Sequence, residues 1–283
     1  MSTEARPTVE EFPSAMAERE PVINDFQMII ATVNGSGSQT ANSTLLRALF
    51  RMGIPVSGKN LFPSNIQGLP TWFTIRLSKD GYIARRENTE VLVAMNRETA
   101  LEDIGNLPSG GICLYPDEWP LKHDRDDITY YPMPVKQLVN ASDAPSSLRD
   151  YVANMAYVGV LTWLLGIDLA EIEASLDFHF AGKPRPVTLN MSMVDAAYAW
   201  AAENLTKRDP YRVERMNATD GMILMDGNTA GALGAVFGGV TLAAWYPITP
   251  STSLIDALRT YLADLRRDPE TGNATYAVIQ AED

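Results

Sequence analysis

The chain has one cysteine, Cys113, and two histidines, His123 and His179, among 283 residues. One thiol cannot close an intrachain disulfide. An iron–sulfur centre needs about four cysteine ligands, so this chain cannot build one. The histidines stand far apart and share no metal-ligand spacing, so neither is assigned a role and no metal site is expected here. Basic residues are also in deficit. The 23 Lys and Arg against 35 Asp and Glu leave a formal net charge of -12, with a pI of about 4.7. That balance repels phosphate backbones and anionic membrane surfaces, so neither nucleic acid nor membrane is expected as a partner. No apolar run reaches the roughly 18 residues of a membrane span, and the N-terminus is acidic rather than signal-like. A cytoplasmic location is expected.

What is present points to a globular chain. Hydrophobic residues make up 46%, enough to bury sizeable cores, and the length suggests about two domains. Met1 to Asn24 carries Pro7, Pro13 and Pro21 among acidic and small residues, which predicts a flexible lead-in arm. The character changes at Asp25. Gln27 to Val33 is a short β-branched run, followed by the glycine turn Asn34-Gly35-Ser36-Gly37-Ser38-Gln39 and a helical stretch from Thr40 to Met52. Strand, glycine turn and helix in that order predict the first unit of a doubly wound α/β domain. Further buried strands are predicted at Trp72–Leu77, Val91–Met95 and Gly111–Tyr115, and helices at Tyr151–Leu165 and Val194–Leu205. Lys207 to Asp220 is polar and lacks a period, so the linker is placed at 207–220. A second α/β unit is expected to open with a strand at Met222-Ile223-Leu224-Met225.

Three segments could carry chemistry. The Gly35–Gln39 turn would let a backbone approach a phosphate at a helix N-terminus, but it is not a full GxGxxG and no P-loop lysine follows. A tight turn made only for packing explains it equally well. Gly231, Gly234 and Gly238 lie on one face of a predicted helix after Asp226-Gly227-Asn228. Such a stripe fits either close internal packing or a subunit interface or cofactor cleft. In Ala244 to Ser253, Thr249 and Pro250 suit the N-cap and N1 positions of a helix running over Leu254–Leu265. The free N–H groups there would hold a carboxylate, although Thr249 could simply cap its helix. Cys113, in an apolar run without a basic neighbour, is expected to be a buried, inert thiol.

Tyr246-Pro247-Ile248-Thr249-Pro250-Ser251-Thr252 resembles the YPITPS motif of 2-oxoacid:ferredoxin oxidoreductases. Asp226-Gly227-Asn228, the small-residue helix and that motif together resemble the start of the family's thiamine-diphosphate pyrimidine-binding domain. Upstream, the glycine turn with Gln39, Gly53–Asn60 and Ser64–Pro70 are similar to its γ domain. The resemblance runs from about Asp25 to the end. It implies a Rossmann-like γ domain over 25–206 and the beginning of a second α/β domain over 221–283. γ ahead of pyrimidine domain is the order of 2-oxoglutarate-type α subunits; pyruvate and branched-chain 2-oxoacids remain alternatives.

The resemblance also implies oxidative decarboxylation of a 2-oxoacid to an acyl-coenzyme A, with electrons passed to ferredoxin. Thiamine diphosphate would be shared with a β-type subunit that holds the diphosphate, its Mg2+ and the iron–sulfur cluster. Thr249 is carried over as the substrate-carboxylate contact, with Tyr246 and Ser251 shaping the loop. Gly35, Ser36, Gly37, Ser38 and Gln39 are the candidate coenzyme A or nucleotide turn. The cofactor glutamate aligns with Glu282 or one position past the last residue. The family's α subunits continue well beyond this point, so a fragment, a cleaved product or a split subunit completed by a separate chain is expected. A non-catalytic assembly module is the competing reading. A generic dinucleotide-binding domain is weakened by the lack of an acidic residue at the proper distance.

Overall fold

The computed structural model describes residues 20–62, 66–121, 125–248 and 250–282. Those residues divide into two compact units. Everything up to Phe62, together with Pro70–Ala218, forms the first, and Thr219 onward, with 66–69, forms the second.

The first unit is built on a six-stranded sheet. Strands β1 (Val22–Ile23) and β2 (Gln27–Val33) lead into helix α1 (Ser38–Arg51), followed by β3 (Val56–Leu61), β4 (Pro70–Leu77) and β5 (Val91–Ala94). Helix α2 (Ala100–Gly105), β6 (Ile112–Pro116), β7 (Thr129–Met133) and α3 (Val135–Ala141) come next. Helices α4 (Arg149–Leu165), α5 (Leu169–His179) and α6 (Pro184–Asn204) precede the short strand β8 (Tyr211–Arg212). The sheet order is β3-β4-β2-β5-β6-β7. β2, β5, β6 and β7 are parallel, and β3 and β4 add an antiparallel hairpin.

Every residue of β5 is buried, as expected of a parallel strand covered on both faces, which carries a continuous apolar run. Side chains alternate between two cores. Met28, Ile30, Val91 and Val93 face α1, α4 and α6, while Ala31, Leu92, Ala94 and Cys113 face α2. This is the doubly wound α/β architecture. Pro132 lies in β7, which the sheet order places at an edge, the position where a missing N–H is tolerated. α6 starts ten residues before the apolar period predicts, with Pro184 in its first turn. N–H groups of that turn have no intrahelical partner, so proline there costs no hydrogen bond.

α4 is apolar nearly all round and buried along most of its length. It meets α6 closely at Gly159, where a Cβ would lie 2.3 Å from the Val194 carbonyl oxygen and 2.7 Å from Ala197 Cβ. Only glycine fits that crossing.

The stretch expected to be a linker is instead part of the first unit up to Ala218. Tyr211–Arg212 pairs in parallel with Val22–Ile23, and Tyr211 stacks against Phe26 with ring centroids 5.6 Å apart. The Met216 amide donates to the Met52 carbonyl at 2.8 Å, and the Ala218 amide to Gly53 at 2.9 Å. Most polar side chains of 207–218 are exposed, but the backbone of this stretch is hydrogen-bonded into the first unit. The arm is corrected for the same reason. Asn24 is buried; its amide donates to the Glu214 carbonyl at 2.7 Å and accepts from the Glu214 amide at 3.0 Å. Val22, Ile23 and Asn24 thus belong to the first unit, and residues 1–19 lie outside the described residues.

The second unit comprises α7 (Gly227–Phe237), β9 (Leu242–Trp245), α8 (Ser251–Leu265) and β10 (Ala277–Gln280). β9 and β10 are parallel, Leu242 opposite Ala277 and Trp245 opposite Gln280. Ala232, Val236, Ile255, Leu258 and Leu262 form a small core with Trp245 and Val278 packed against it. The strand expected at Met222–Met225 does not form. A strand exists through its ladder, and among the described residues no strand pairs with this segment. Close packing inside this unit does not explain the glycine stripe either. A side chain at Gly231 would touch only Leu254, at 3.8 Å, and one at Gly234 would meet nothing within 4 Å among the described residues.

Candidate functional site

The parallel register of β9 and β10 decides where the conspicuous loop of the second unit lies. Both strands end at the same edge, so the loop after Trp245 and the segment after Gln280 emerge side by side. The Ala281 amide donates to the Trp245 carbonyl at 2.6 Å, which carries the pairing one residue past the ladder. Glu282 follows directly and is exposed. In open α/β sheets this carboxyl edge is where ligands bind.

The loop itself is held by short polar contacts. The Ser251 hydroxyl and amide each donate to the Ile248 carbonyl at 2.8 Å, closing the turn that enters α8. Tyr246 and Ile248 are 58% and 51% exposed, so the loop offers apolar surface beside the strand ends. Pro250 occupies the N-cap position with φ -100° and ψ 12°, and Ser251 is the first helical residue. This corrects the expected capping by one position, with proline at the N-cap. Thr249 lies outside the described residues.

Asp226 caps α7. Its carboxylate accepts from the Thr229 amide at 2.9 Å and the Thr229 hydroxyl at 2.6 Å. The Thr229 hydroxyl and then its amide hold the Asp226 pKa below the usual carboxylate range. Next to it, the Asn228 side-chain amide donates to the Pro250 carbonyl at 2.8 Å and to the Ser253 hydroxyl at 2.7 Å. Asp226, Asn228, Tyr246, Ser251 and, by register, Glu282 are therefore gathered at one end of the second unit. The reach of Asn228 has no signal in the sequence, because its partners are 22 and 25 residues away.

The glycine turn belongs to the first unit. Gly35 and Gly37 have φ of 87° and 81°, and Gly37 is the N-cap of α1. A Cβ on Gly37 would lie 2.3 Å from the Tyr151 ring, so packing alone already demands glycine there. The turn is tied down from α4. Asn154 donates to the Ser36 carbonyl at 2.8 Å, and Tyr157 donates to Asn42 at 2.8 Å. The Ser38 hydroxyl is 2.9 Å from that of Thr32. Gln39 is exposed, with its amide donating to Ser43 at 3.2 Å.

Cys113 is fully buried, and that burial raises its thiol pKa, as expected of an inert thiol. His179 lies 3.2 Å from the Thr40 hydroxyl, and His123 is outside the described residues. Among the described residues, no group of three His, Cys, Asp or Glu is placed to hold a metal ion, and no helix is long and apolar enough to cross a membrane.

A doubly wound α/β unit followed by a second unit with a parallel strand pair defines an α/β protein. The particular family follows from the sequence of the first unit. Residues 27–200 match pyruvate ferredoxin/flavodoxin oxidoreductase, and the chain belongs to that family. It is similar to subunit alpha of 2-oxoacid:ferredoxin oxidoreductase 2 of Aeropyrum pernix, with 20% identity over 267 residues, covering 81% of this chain and 42% of that one. Its fold matches a chain of the 2-oxoglutarate:ferredoxin oxidoreductase of Magnetococcus marinus, solved with 2-oxoglutarate, coenzyme A and succinyl-CoA bound. The TM-score is 0.76 at 25% identity, over 92% of this chain and 44% of that one. The keto/oxoacid ferredoxin oxidoreductase gamma subunit of Geobacter sulfurreducens shares the fold over 63% of this chain and 99% of its own, with a TM-score of 0.51 and 14% identity. The chain thus spans less than half the length of the A. pernix and M. marinus chains.

Proposed function

We propose that this chain acts in a thiamine-diphosphate-dependent 2-oxoacid:ferredoxin oxidoreductase, as an α-type subunit working with a β-type partner in the cytoplasm. In this reading Val22–Ala218 is the γ domain, and Thr219 onward belongs to the pyrimidine-binding domain. The observation that carries it is the β9–β10 register, which brings the Tyr246–Ser251 loop and Glu282 to one sheet edge.

The residues at that edge fit the aminopyrimidine of thiamine diphosphate by their chemistry. By the β9–β10 register Glu282 follows the same strand ends as the exposed Tyr246 and Ile248, and a carboxylate with apolar surface suits a flat heterocycle with a basic ring nitrogen. When bound, this cofactor supplies an acidic thiazolium carbon and an electron sink for decarboxylation. Glu282 would hold a proton at N1′ of the aminopyrimidine. Thr249 and the N–H groups of Thr252 and Ser253 in the first turn of α8 would bind the substrate carboxylate, where the helix dipole favours an anion. Ser251 keeps the loop in place, and Tyr246 and Ile248 exclude water. An iron–sulfur cluster would be held by the partner chain, because one cysteine cannot hold one, and the Mg2+ of the diphosphate is assigned to the same partner. Coenzyme A takes the acyl group, with the Gly35–Gln39 turn as its candidate contact, and ferredoxin takes the electrons.

The substrate proposed is 2-oxoglutarate, supported by the M. marinus enzyme's bound ligand. The test is purification of the complex from its native source, mass measurement of every chain, and ferredoxin reduction with 2-oxoglutarate, pyruvate and 2-oxoisovalerate. Preference for 2-oxoglutarate, dependent on coenzyme A, is expected. Absence of 2-oxoacid-dependent reduction in a complex retaining all its chains and thiamine diphosphate would overturn the reading.

A further inference from the structure

Parallel strands in this chain are covered to unequal degrees. Every residue of β5 is buried, whereas no residue of β9 or β10 is. Ala243, Trp245 and Val278 turn towards the small core that α7 and α8 build in the second unit. On the opposite face the register sets Leu242 beside Ala277 and Ala244 beside Ile279. All four are exposed, Leu242 by 60% and Ile279 by 53%. The four carry no charge, and each row pairs one large side chain with one small. Exposed faces of antiparallel sheets are polar, but parallel sheets carry helices and apolar residues on both sides. By composition the β9–β10 pair is of the second kind. Among the described residues, five apolar side chains form the buried core of this unit, too few for an independent domain.

More than half of the A. pernix chain and of the M. marinus chain lies outside the part that this chain matches. We infer that the face of Leu242, Ala244, Ala277 and Ile279 is a docking surface for polypeptide similar to that unmatched part. The occupant seats an apolar helix on the β9–β10 pair and gives the parallel sheet its second cover. A second copy of this chain would lay sheet on sheet and leave the helical layer still wanting. A charged peptide finds no counter-charge among the four residues. The inference rests on the family and on the strand pair, not on the reaction proposed above.

The test exploits the cysteine content. Cys113 is the only thiol and is buried, so the parent chain gives a low background with a maleimide. Leu242→Cys and Ile279→Cys each place one thiol on the face, and the two positions guard against one variant folding poorly. Both are labelled in the purified chain and in the complex carrying the same variant. The labelling rate should be about tenfold or more lower in the complex at both positions, because an occluded thiol reacts slowly. A photoreactive cross-linker attached at position 279 of the Ile279→Cys variant then identifies the neighbour by mass spectrometry. The expected cross-link falls on an apolar helix of polypeptide similar to the unmatched part of the A. pernix subunit alpha. A cross-link into residues 1–283, of the same molecule or of a second copy, overturns the inference. So does labelling at an undiminished rate in the complex. Ferredoxin reduction is measured on the same complex. Protection without 2-oxoacid-dependent reduction would sink the proposed reaction and leave this surface standing; full activity with both thiols freely labelled would do the reverse.

Discussion

The Tyr131 hydroxyl donates a 2.7 Å hydrogen bond to Asp209, a carboxylate with a fully buried side chain that also pairs with Lys207 at 2.8 Å. The same hydroxyl accepts the Arg208 amide at 2.8 Å. One phenol thus locks the edge strand β7 to the segment that returns the chain to the sheet before β8. Tyr131→Phe would leave the carboxylate and the Arg208 amide each short of a partner. A loss of about 1.5–3 kcal/mol is expected in denaturant unfolding of the first unit, the range for a bond to a charged group. No change in midpoint would show that 207–216 is held by its backbone pairing alone.

Alkaline pH should destabilise this unit. Burial raises the Tyr157 pKa well above its ordinary value, burial and the neighbouring Asp209 do the same for Tyr131, and burial pushes Tyr130 up to about 12. An unfolded tyrosine ionises near pH 10. Above that pH the folded state holds more protons than the unfolded one, so stability present below about pH 10 falls as the pH climbs through the raised folded values. Unfolding midpoints measured from pH 8 to 11.5 should therefore drop beyond about pH 10, and Tyr157→Phe should flatten the decline. A profile level to pH 11.5 would contradict this account.

Two glycines should respond in opposite ways. Gly159→Ala puts a Cβ 2.3 Å from the Val194 carbonyl oxygen and should cost about 1–3 kcal/mol or more by overpacking α4 against α6. At Gly234 nothing lies within 4 Å among the described residues. Gly234→Ala should therefore raise the thermal stability of the chain, by up to about 1 kcal/mol of helix propensity. Any penalty at Gly234 should show only as impaired assembly with a partner chain. Destabilisation of the purified chain by Gly234→Ala would place an unseen contact within this unit.

Thr249→Val keeps the shape of the side chain and removes its hydroxyl. If that hydroxyl binds the 2-oxoacid carboxylate, kcat/KM should fall about ten- to a hundredfold in the assembled complex. Thiamine diphosphate affinity should change little, since its diphosphate is assigned to the partner chain. Normal kinetics with a lowered Tm would reduce Thr249 to a structural role.

Much of the first unit was legible from apolar runs alone. β2, β5 and β6 coincide with short apolar runs, because parallel strands buried on both faces need apolar side chains throughout, and the antiparallel β4 coincides with another. The Tyr246–Thr252 motif pointed to the family. Local sequence determined these features because each depends on residues adjacent in the chain. Tertiary structure decided the rest. Val22–Ile23 and Tyr211–Arg212 pair across nearly the whole first unit, so neither segment carries a pattern of its own and both read as flexible. Met222–Met225 has the composition of a strand, yet no described strand pairs with it. The loop after β9 and Glu282 share one edge through the β9–β10 register, and Asn228 reaches the loop through its bonds to Pro250 and Ser253; both are relations between distant residues that no local propensity encodes.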